Sequence, residues 1–268
     1  MTQIPKIIHY VWVGEKEKPE LVLKCIESWK NFLPDYEIIE WNNDSLKNIK
    51  NQYVEEAFRN KKWAFVSDYL RLYALYHHGG VYLDTDCEIT QNIDEFLDLD
   101  FFSCYEYFDG RSELFPISAL LGAKANNKII FDLLSEYDGL KFETENGLDL
   151  TTNTVRISNY FSKKFNFNAP YSGEKKYLEA KSIIFPYTFF CKKEYNSINY
   201  AIHHFNGSWL PTYQRRDKFK IGKKYIISRF KKERDRDNND YPINQDEEII
   251  FNIKISENRL FCLIKRKK

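Results

Sequence analysis

Apolar positions along this chain recur with two periods, and the elements they mark alternate. Ile4 to Val13 is a dense apolar run of strand length closed by Gly14, the pattern of a strand covered on both faces in a parallel sheet. Pro19 to Phe32 puts Leu21, Cys25, Ile26 and Trp29 on one stripe and predicts a helix with proline in its first turn. Tyr36 to Trp41 is a second strand, followed by the polar turn Asn42-Asn43-Asp44, and Gln52 to Asn60 is a short helix. The helix that begins at Trp63 carries Phe65, Val66, Tyr69, Leu70, Leu72, Tyr73, Leu75 and Tyr76, too many apolar residues for a solvent-facing element. Gly79 and Gly80 stop it, because glycine takes positive φ without a Cβ clash, and Val81-Tyr82-Leu83 then starts a strand.

Further on, Ile93 to Leu97 reads as a short helix, Phe101 to Tyr105 and Ile117 to Leu121 as strands, and Lys128 to Tyr137 and Thr154 to Phe165 as helices. Ser182 to Phe185 and Asn199 to Phe205 are strands of the second half. This alternation predicts a Rossmann-like α/β sheet flanked by helices. After Pro211 the character changes. Residues 215–236 are rich in Lys and Arg, with Phe219, Ile221, Tyr225, Ile226, Ile227 and Phe230 interleaved, which predicts a basic amphipathic helix. A polar linker, Asp237 to Asp240, precedes a terminal hairpin over Glu248 to Ile255 and Arg259 to Ile264. The expected organisation is an α/β domain over residues 1–212 and a basic C-terminal extension over 213–268.

The chemistry gathers where the long helix meets its strand. With a period of two, Tyr82, Asp84 and Asp86 share a face, and Asp68 and Arg71 share a helix face three residues apart. Three carboxylates and a guanidinium thus converge at a strand's carboxyl end, where open α/β sheets bind ligands. Asp84-Thr85-Asp86 suits a divalent metal that holds a diphosphate, since such an ion takes one or two carboxylates and leaves its other positions to phosphate oxygens and water. An isolated Asp68–Arg71 pair would be an ordinary helical salt bridge, but a helix otherwise apolar has little reason to carry both. The late segment HHFNGSW, His203 to Trp209, offers a second ligand source. His203 and His204 face opposite ways on a strand, so one of them at most is a ligand. Trp12, at the end of the first strand, is a core aromatic or a ring for stacking a nucleobase.

Composition narrows the class. The 268 residues are 43% hydrophobic and 29% charged, as in a globular chain, and the formal net charge of +1 gives no global attraction to nucleic acid. Aromatics reach 17%, a content that base composition or a sugar-stacking surface would explain. The five cysteines are scattered and never in a CxxC pair, which argues against a disulfide framework or zinc site and fits a reducing compartment. No signal-peptide pattern and no run of 18 apolar residues is present, so a cytoplasmic location is expected. The basic tail is a candidate peripheral contact to the inner face of a membrane.

Three motifs together carry a resemblance: IPKIIHYVWVG, the block W-x-x-x-x-SD-x-x-R-x-x-x-L-x-x-x-GG-x-Y-x-D-x-D, and HHFNGSW. The chain resembles the DxD-containing sugar transferases of glycosyltransferase family 32, which include yeast-type initiating mannosyltransferases and bacterial capsular polysaccharide enzymes. Its central block is also similar to the glucosylating domains of large clostridial toxins. The resemblance covers roughly residues 4–90 and 182–210. It implies a GT-A fold, a Mn²⁺ (or Mg²⁺) cofactor, a nucleotide-sugar donor, retention of anomeric configuration, and a saccharide or lipid-linked oligosaccharide acceptor in surface or capsular polysaccharide synthesis. Carried over by position, Trp12 stacks on the base, Asp68 binds sugar hydroxyls, and Arg71 contacts sugar or phosphate. Tyr82 and Asp84 line ribose and sugar, Asp84 reaches the metal through water, and Asp86 is its direct ligand. Ser208, Trp209 and a histidine close over the diphosphate, with Ser208 also placed at the metal. His204 is preferred to His203, because His-x-x-Gly over His204 to Gly207 is similar to a metal-binding motif of related retaining transferases. Asn153 is assigned near the reacting carbon, in a stretch, 91–180, that the resemblance does not cover. The toxin-like block favours a UDP-hexose over GDP-mannose.

Two other classes compete. Phosphatases of the haloacid dehalogenase type also place apolar residues before a DxD, but near the N-terminus and with Thr or Val two residues on, where Glu88 stands here. A non-enzymatic sugar- or membrane-binding module accounts for the aromatics and the basic tail, yet gives no reason for Asp68, Arg71, Asp84 and Asp86 together.

Overall fold

The first strand sits one place in from an edge of the sheet. In the computed structural model, which describes residues 3–107, 114–117 and 119–206 and the backbone of 217–221, 224–230, 247–256 and 259–266, β1 (Ile7–Val11) lies between β2 (Glu37–Trp41) and β3 (Gly80–Leu83), parallel to both. It is shorter than the apolar run around it. Pro5 has no N–H for a ladder, and Ile4 bonds sideways to the Leu97 carbonyl. Beyond β3 the sheet continues through β6 (Leu120–Ala123) and β5 (Phe101–Cys104) to β10 (Ser182–Phe185) and β9 (Lys176–Tyr177). β6 is antiparallel to β3 and β5, β10 is parallel to β5, and β9 is antiparallel to β10, so the seven-stranded sheet is mixed. The expected Rossmann-like mixed sheet flanked by helices is the architecture found.

Each central strand buries both of its faces. Val81 and Leu83 join the core on the side of α1 (Glu20–Phe32), while Tyr82 joins the opposite core with α2 (Gln52–Arg59), α3 (Trp63–His78), α4 (Lys128–Ser135) and α5 (Asn153–Phe165). Gly79 and Gly80 take φ of +67° and +108°, and a Cβ on Gly80 would stand 2.6 Å from the Ile7 carbonyl oxygen, so only glycine turns the chain here. Buried His9 fixes the same corner, with its Nε2 2.8 Å from the Gly79 carbonyl and its Nδ1 accepting the Trp41 indole N–H.

Two very short strands meet here: β4 (Cys87–Ile89), which the sequence reading missed, and β11 (Ala201–His203), which lies inside the strand expected over Asn199 to Phe205. They pair antiparallel with His203 opposite Cys87, which brings the late histidines to the acidic turn. α1 holds β4 in place through two buried bonds: the Trp29 indole donates to the Cys87 carbonyl at 2.7 Å, and the Ile89 N–H to Ser28 Oγ at 3.0 Å. The small elements β7 (Glu143–Thr144), β8 (Gly147–Leu148) and α6 (Tyr187–Phe190) were likewise not anticipated.

The chain divides into two compact units, the first running to Phe205 and the second holding the last four strands. There the expectation of a basic amphipathic helix fails. β12 (Asp217–Ile221) and β13 (Lys224–Phe230) form an antiparallel pair, and β14 (Glu247–Ser256) and β15 (Arg259–Arg266) form the anticipated hairpin, in the order β12-β13-β15-β14. Phe219, Ile221, Tyr225 and Ile227 alternate with other residues at a strand's period, β-branched and aromatic residues favour that state, and Gly222 interrupts a helix. No helix among the described residues is long and apolar enough to cross a membrane.

One contact tests the packing of the sheet. Gly122 faces Phe102 across β5 and β6, and a Cβ there would lie 2.0 Å from the ring. Gly122→Ala is expected to cost about 1–3 kcal/mol in denaturant unfolding. Combining it with Phe102→Leu should recover part of that loss, and simple additivity of the two would contradict the contact.

Candidate active site

Asp68, on the buried face of α3, carries its charge into the interior. Its Oδ1 is 3.0 Å from Arg71 Nη2, and its Oδ2 accepts the Asn153 N–H at 3.2 Å, so a carboxylate stands where α5 has no side-chain cap of its own. Burial and the nearby Asp84 charge raise its pKa to about 6, against the opposing pull of Arg71 and the Asn153 N–H. Arg71 Nη2 also reaches Asp84 Oδ1 at 3.2 Å, and its guanidinium lies 4.6 Å from the Tyr82 ring centroid. Burial disfavours the Arg71 charge, but Asp84, Tyr82 and Asp68 more than compensate, and the group stays protonated. Tyr82 donates to Asp84 at 2.9 Å and shares a 2.8 Å bond with Ser67 Oγ. The sequence reading therefore found one connected unit: Asp68, Arg71, Tyr82 and Asp84.

Asp86 arrives by a different route from the one expected. β3 ends at Leu83, and a turn closed by the Cys87 N–H on the Asp84 carbonyl at 2.9 Å carries Asp84 and Asp86. The turn, rather than strand alternation, sets the two carboxylates side by side. β11 then delivers His203, whose Nε2 is 3.5 Å from Asp86 Oδ1. Asp84, Asp86 and His203 each offer a ligand atom within 4.8 Å of the others.

The preferred histidine needs correction. His204 turns away from the acidic pair and meets Glu88 Oε2 at 2.8 Å, although its N–H donates to the Asp86 carbonyl. Adjacent residues on β11 face opposite sides, and the register that puts His203 opposite Cys87 gives the inner place to His203. Burial opposes protonation of His203, but hydrogen bonds to Asp86 and Cys191 and the charges of Asp86 and Asp84 hold its pKa well above the ordinary value. The same negative potential favours a cation.

Other expected residues divide. Asn153 is buried beside Asp68, and its side-chain oxygen is buried without a hydrogen-bond partner. Trp12 follows β1 at the sheet edge where β3 ends; half-buried, it donates its indole N–H to the Lys16 carbonyl at 2.9 Å. Ser208 and Trp209 lie outside the described residues. Glu106, not singled out from sequence, comes within 4.0 Å of His203 Nδ1. It stands two residues beyond β5 with no motif to mark it.

Two carboxylates and an imidazole fit a divalent cation of the Mn²⁺ or Mg²⁺ kind, and His203, buried and aimed at Asp86, supplies the nitrogen.

Comparison with known proteins finds similarity over the same stretch of chain. Residues 19–102 match the family described as glycosyltransferase sugar-binding region containing DXD motif. An uncharacterized glycosyltransferase of Acanthamoeba polyphaga mimivirus is 34% identical over 105 residues, 37% of this chain and 42% of that protein. Inositol phosphoceramide mannosyltransferase 2 of Schizosaccharomyces pombe is 35% identical over 98 residues, 35% of this chain and 28% of that protein. The chain spans less than half the length of these curated relatives. Among solved structures, the PaToxG glycosyltransferase is 20% identical with a TM-score of 0.44, over 60% of this chain and 70% of that one. The stretch that holds Asp68, Arg71, Asp84 and Asp86 thus lies inside the match to the glycosyltransferase sugar-binding region containing DXD motif.

Proposed function

We propose that the chain is a metal-dependent retaining glycosyltransferase that moves a hexose from a nucleotide sugar to a saccharide or lipid-linked acceptor. The observation that carries this reading is the meeting of Asp84, Asp86 and His203, from opposite ends of the first unit, next to the buried Asp68–Arg71 pair. A cation held by Asp84, Asp86 and His203 supplies positive charge against the diphosphate leaving group. Asp68, ionised and fixed by Arg71 and the Asn153 N–H, accepts hydrogen bonds from sugar hydroxyls. Arg71 holds Asp84 in place and adds positive charge beside the sugar.

Retention is what the resemblance implies, and the state of these carboxylates favours a front-face route to it over a double displacement. Asp68 and Asp84 are tied to Arg71, and Asp86 to His203, so none is a free nucleophile for a double displacement. The acceptor oxygen then attacks the anomeric carbon on the face that the diphosphate leaves, and its proton passes to the departing phosphate oxygen. A trapped covalent sugar–enzyme adduct would contradict this route.

For the donor, the block around Asp84 and Asp86 favours a UDP-hexose. A second reading, GDP-mannose, draws on the relatives named inositol phosphoceramide mannosyltransferases, whose name also makes a lipid acceptor attractive. A lipid acceptor would suit a cytoplasmic enzyme whose basic residues after 213 meet a membrane surface, as in surface or capsular polysaccharide synthesis.

Hydrolysis of a panel of UDP- and GDP-sugars with Mn²⁺ is expected to release one nucleotide, to stop with EDTA, and to fall by about 10²-fold or more in Asp86→Asn. His203→Ala should lose about as much, while His204→Ala should retain turnover close to wild type; equal losses in the two would contradict the assigned ligand. Because ionised Asp68 is the form that accepts sugar hydroxyls, turnover should rise with pH through about 6 and level off above it. A profile flat from pH 5 to 8 would remove Asp68 from the sugar contact.

A further inference from the structure

Behind Asp68 lies a second buried charge pair with no assigned part in the site. Arg156 and Asp149 form an ion pair whose side chains are only 13% and 19% exposed. Asp149 is itself anchored: its N–H donates to the Phe142 carbonyl at 2.8 Å, and its Oδ1 accepts the Thr151 N–H at 3.0 Å. The Arg156 guanidinium lies 5.7 Å and 5.4 Å from the ring centroids of Tyr53 and Tyr137, both fully buried. Arg156 is one turn along α5 from Asn153, so the two share a helix face, and Asn153 is the residue whose N–H meets Asp68. The first turn of α5 is thus gripped from two sides. The loop that enters it is tied down by Asp149, and the turn that follows is tied to the aromatic pair by Arg156.

We infer that Asp149 and Arg156 are a positioning pair that presents the α5 N-terminus to Asp68 and so holds that carboxylate in its sugar-binding pose. Neither touches the reacting atoms. A buried arginine is costly to carry for stability alone, because well-packed apolar residues of similar volume often serve as well. Here it does what an apolar side chain does not. Its guanidinium lies within cation–π distance of two rings and ties α5 to the preceding loop through a directed bond to Asp149. Arg156 Nε, Asn153 Oδ1 and the Tyr137 hydroxyl are buried without a hydrogen-bond partner, while the Tyr53 hydroxyl meets Arg156. Three buried polar atoms left open near Asp68 are a cost that a purely apolar layer would not carry. That the pose serves sugar binding rests on the transferase reading; that the pair creates the pose does not.

The test uses the full chain and two readouts. Hydrogen exchange of the peptide that contains Asn153 should quicken in Arg156→Met and Asp149→Asn, with the rest of the first unit unchanged. Exchange that stays at the wild-type rate, or that rises evenly across the unit, would overturn the inference whatever the enzyme's donor. On the donor that wild type hydrolyses, kcat should fall about 10–100-fold in either variant, while UDP or GDP binding with Mn²⁺, which depends on the acidic turn, stays within about twofold. The double variant should lose little more than either single one, and Arg156→Lys should recover part of the loss. Loss of nucleotide binding in step with kcat would also overturn the positioning role. If Arg156→Met does not fold, Arg156→Lys and Asp149→Asn carry the same comparisons. A wild-type protein that hydrolyses no donor would count against the transferase reading alone, since the exchange result stands by itself.

Discussion

Burying Arg71 between Asp68 and Asp84 is the constraint on which this site depends. Removing a guanidinium and two carboxylates from water costs several kcal/mol per ion before their attraction is counted. The cost is tolerable only if each charge is held by several directed partners. Helix α3 supplies Asp68 and Arg71 one turn apart, β3 supplies Tyr82, the turn after it supplies Asp84, and the first turn of α5 supplies an N–H. The two glycines between α3 and β3 make the corner tight enough for these bonds to form, so the sharp turn and the buried charges require each other.

The consequences spread outward from that corner. With Asp84 fixed by Arg71 and Tyr82, the turn to Asp86 has little freedom, and α1 pins its far end through Trp29 and Ser28. β4 can then pair with β11, which brings His203 across the whole first unit to the acidic pair. The negative potential of Asp84 and Asp86 that favours a proton on His203 would equally favour a divalent cation. On the other side, Asp68 engages α5, and the Asp149–Arg156 pair orients α5 in turn.

Much of this was legible in the sequence, for a physical reason. The stretch from Trp63 to Asp86 is continuous, so helix spacing, a glycine stop and strand alternation were enough to place Asp68, Arg71, Tyr82 and Asp84 together. What could not be read depends on register between distant segments. Three-residue strands such as β4 and β11 carry no periodic signal, and their pairing decides between His203 and His204. Asp149 and Arg156 are seven residues apart across a loop–helix junction, a separation that no local pattern marks. In the tail, interleaved basic and apolar residues suit either period. The alternation of Phe219, Ile221, Tyr225 and Ile227 suits the strands that the structure has over Asp217–Ile221 and Lys224–Phe230.

The central claim is that Asp84, Asp86 and His203 hold a cation against a nucleotide sugar. Its most direct test is the anomalous scattering of manganese in crystals of the full chain grown with Mn²⁺ and UDP or GDP. The account predicts one peak, in bonding contact with Asp86 and His203 and adjoining the diphosphate. A peak between His204 and Glu88, or nucleotide bound with no metal at the acidic turn, would contradict it.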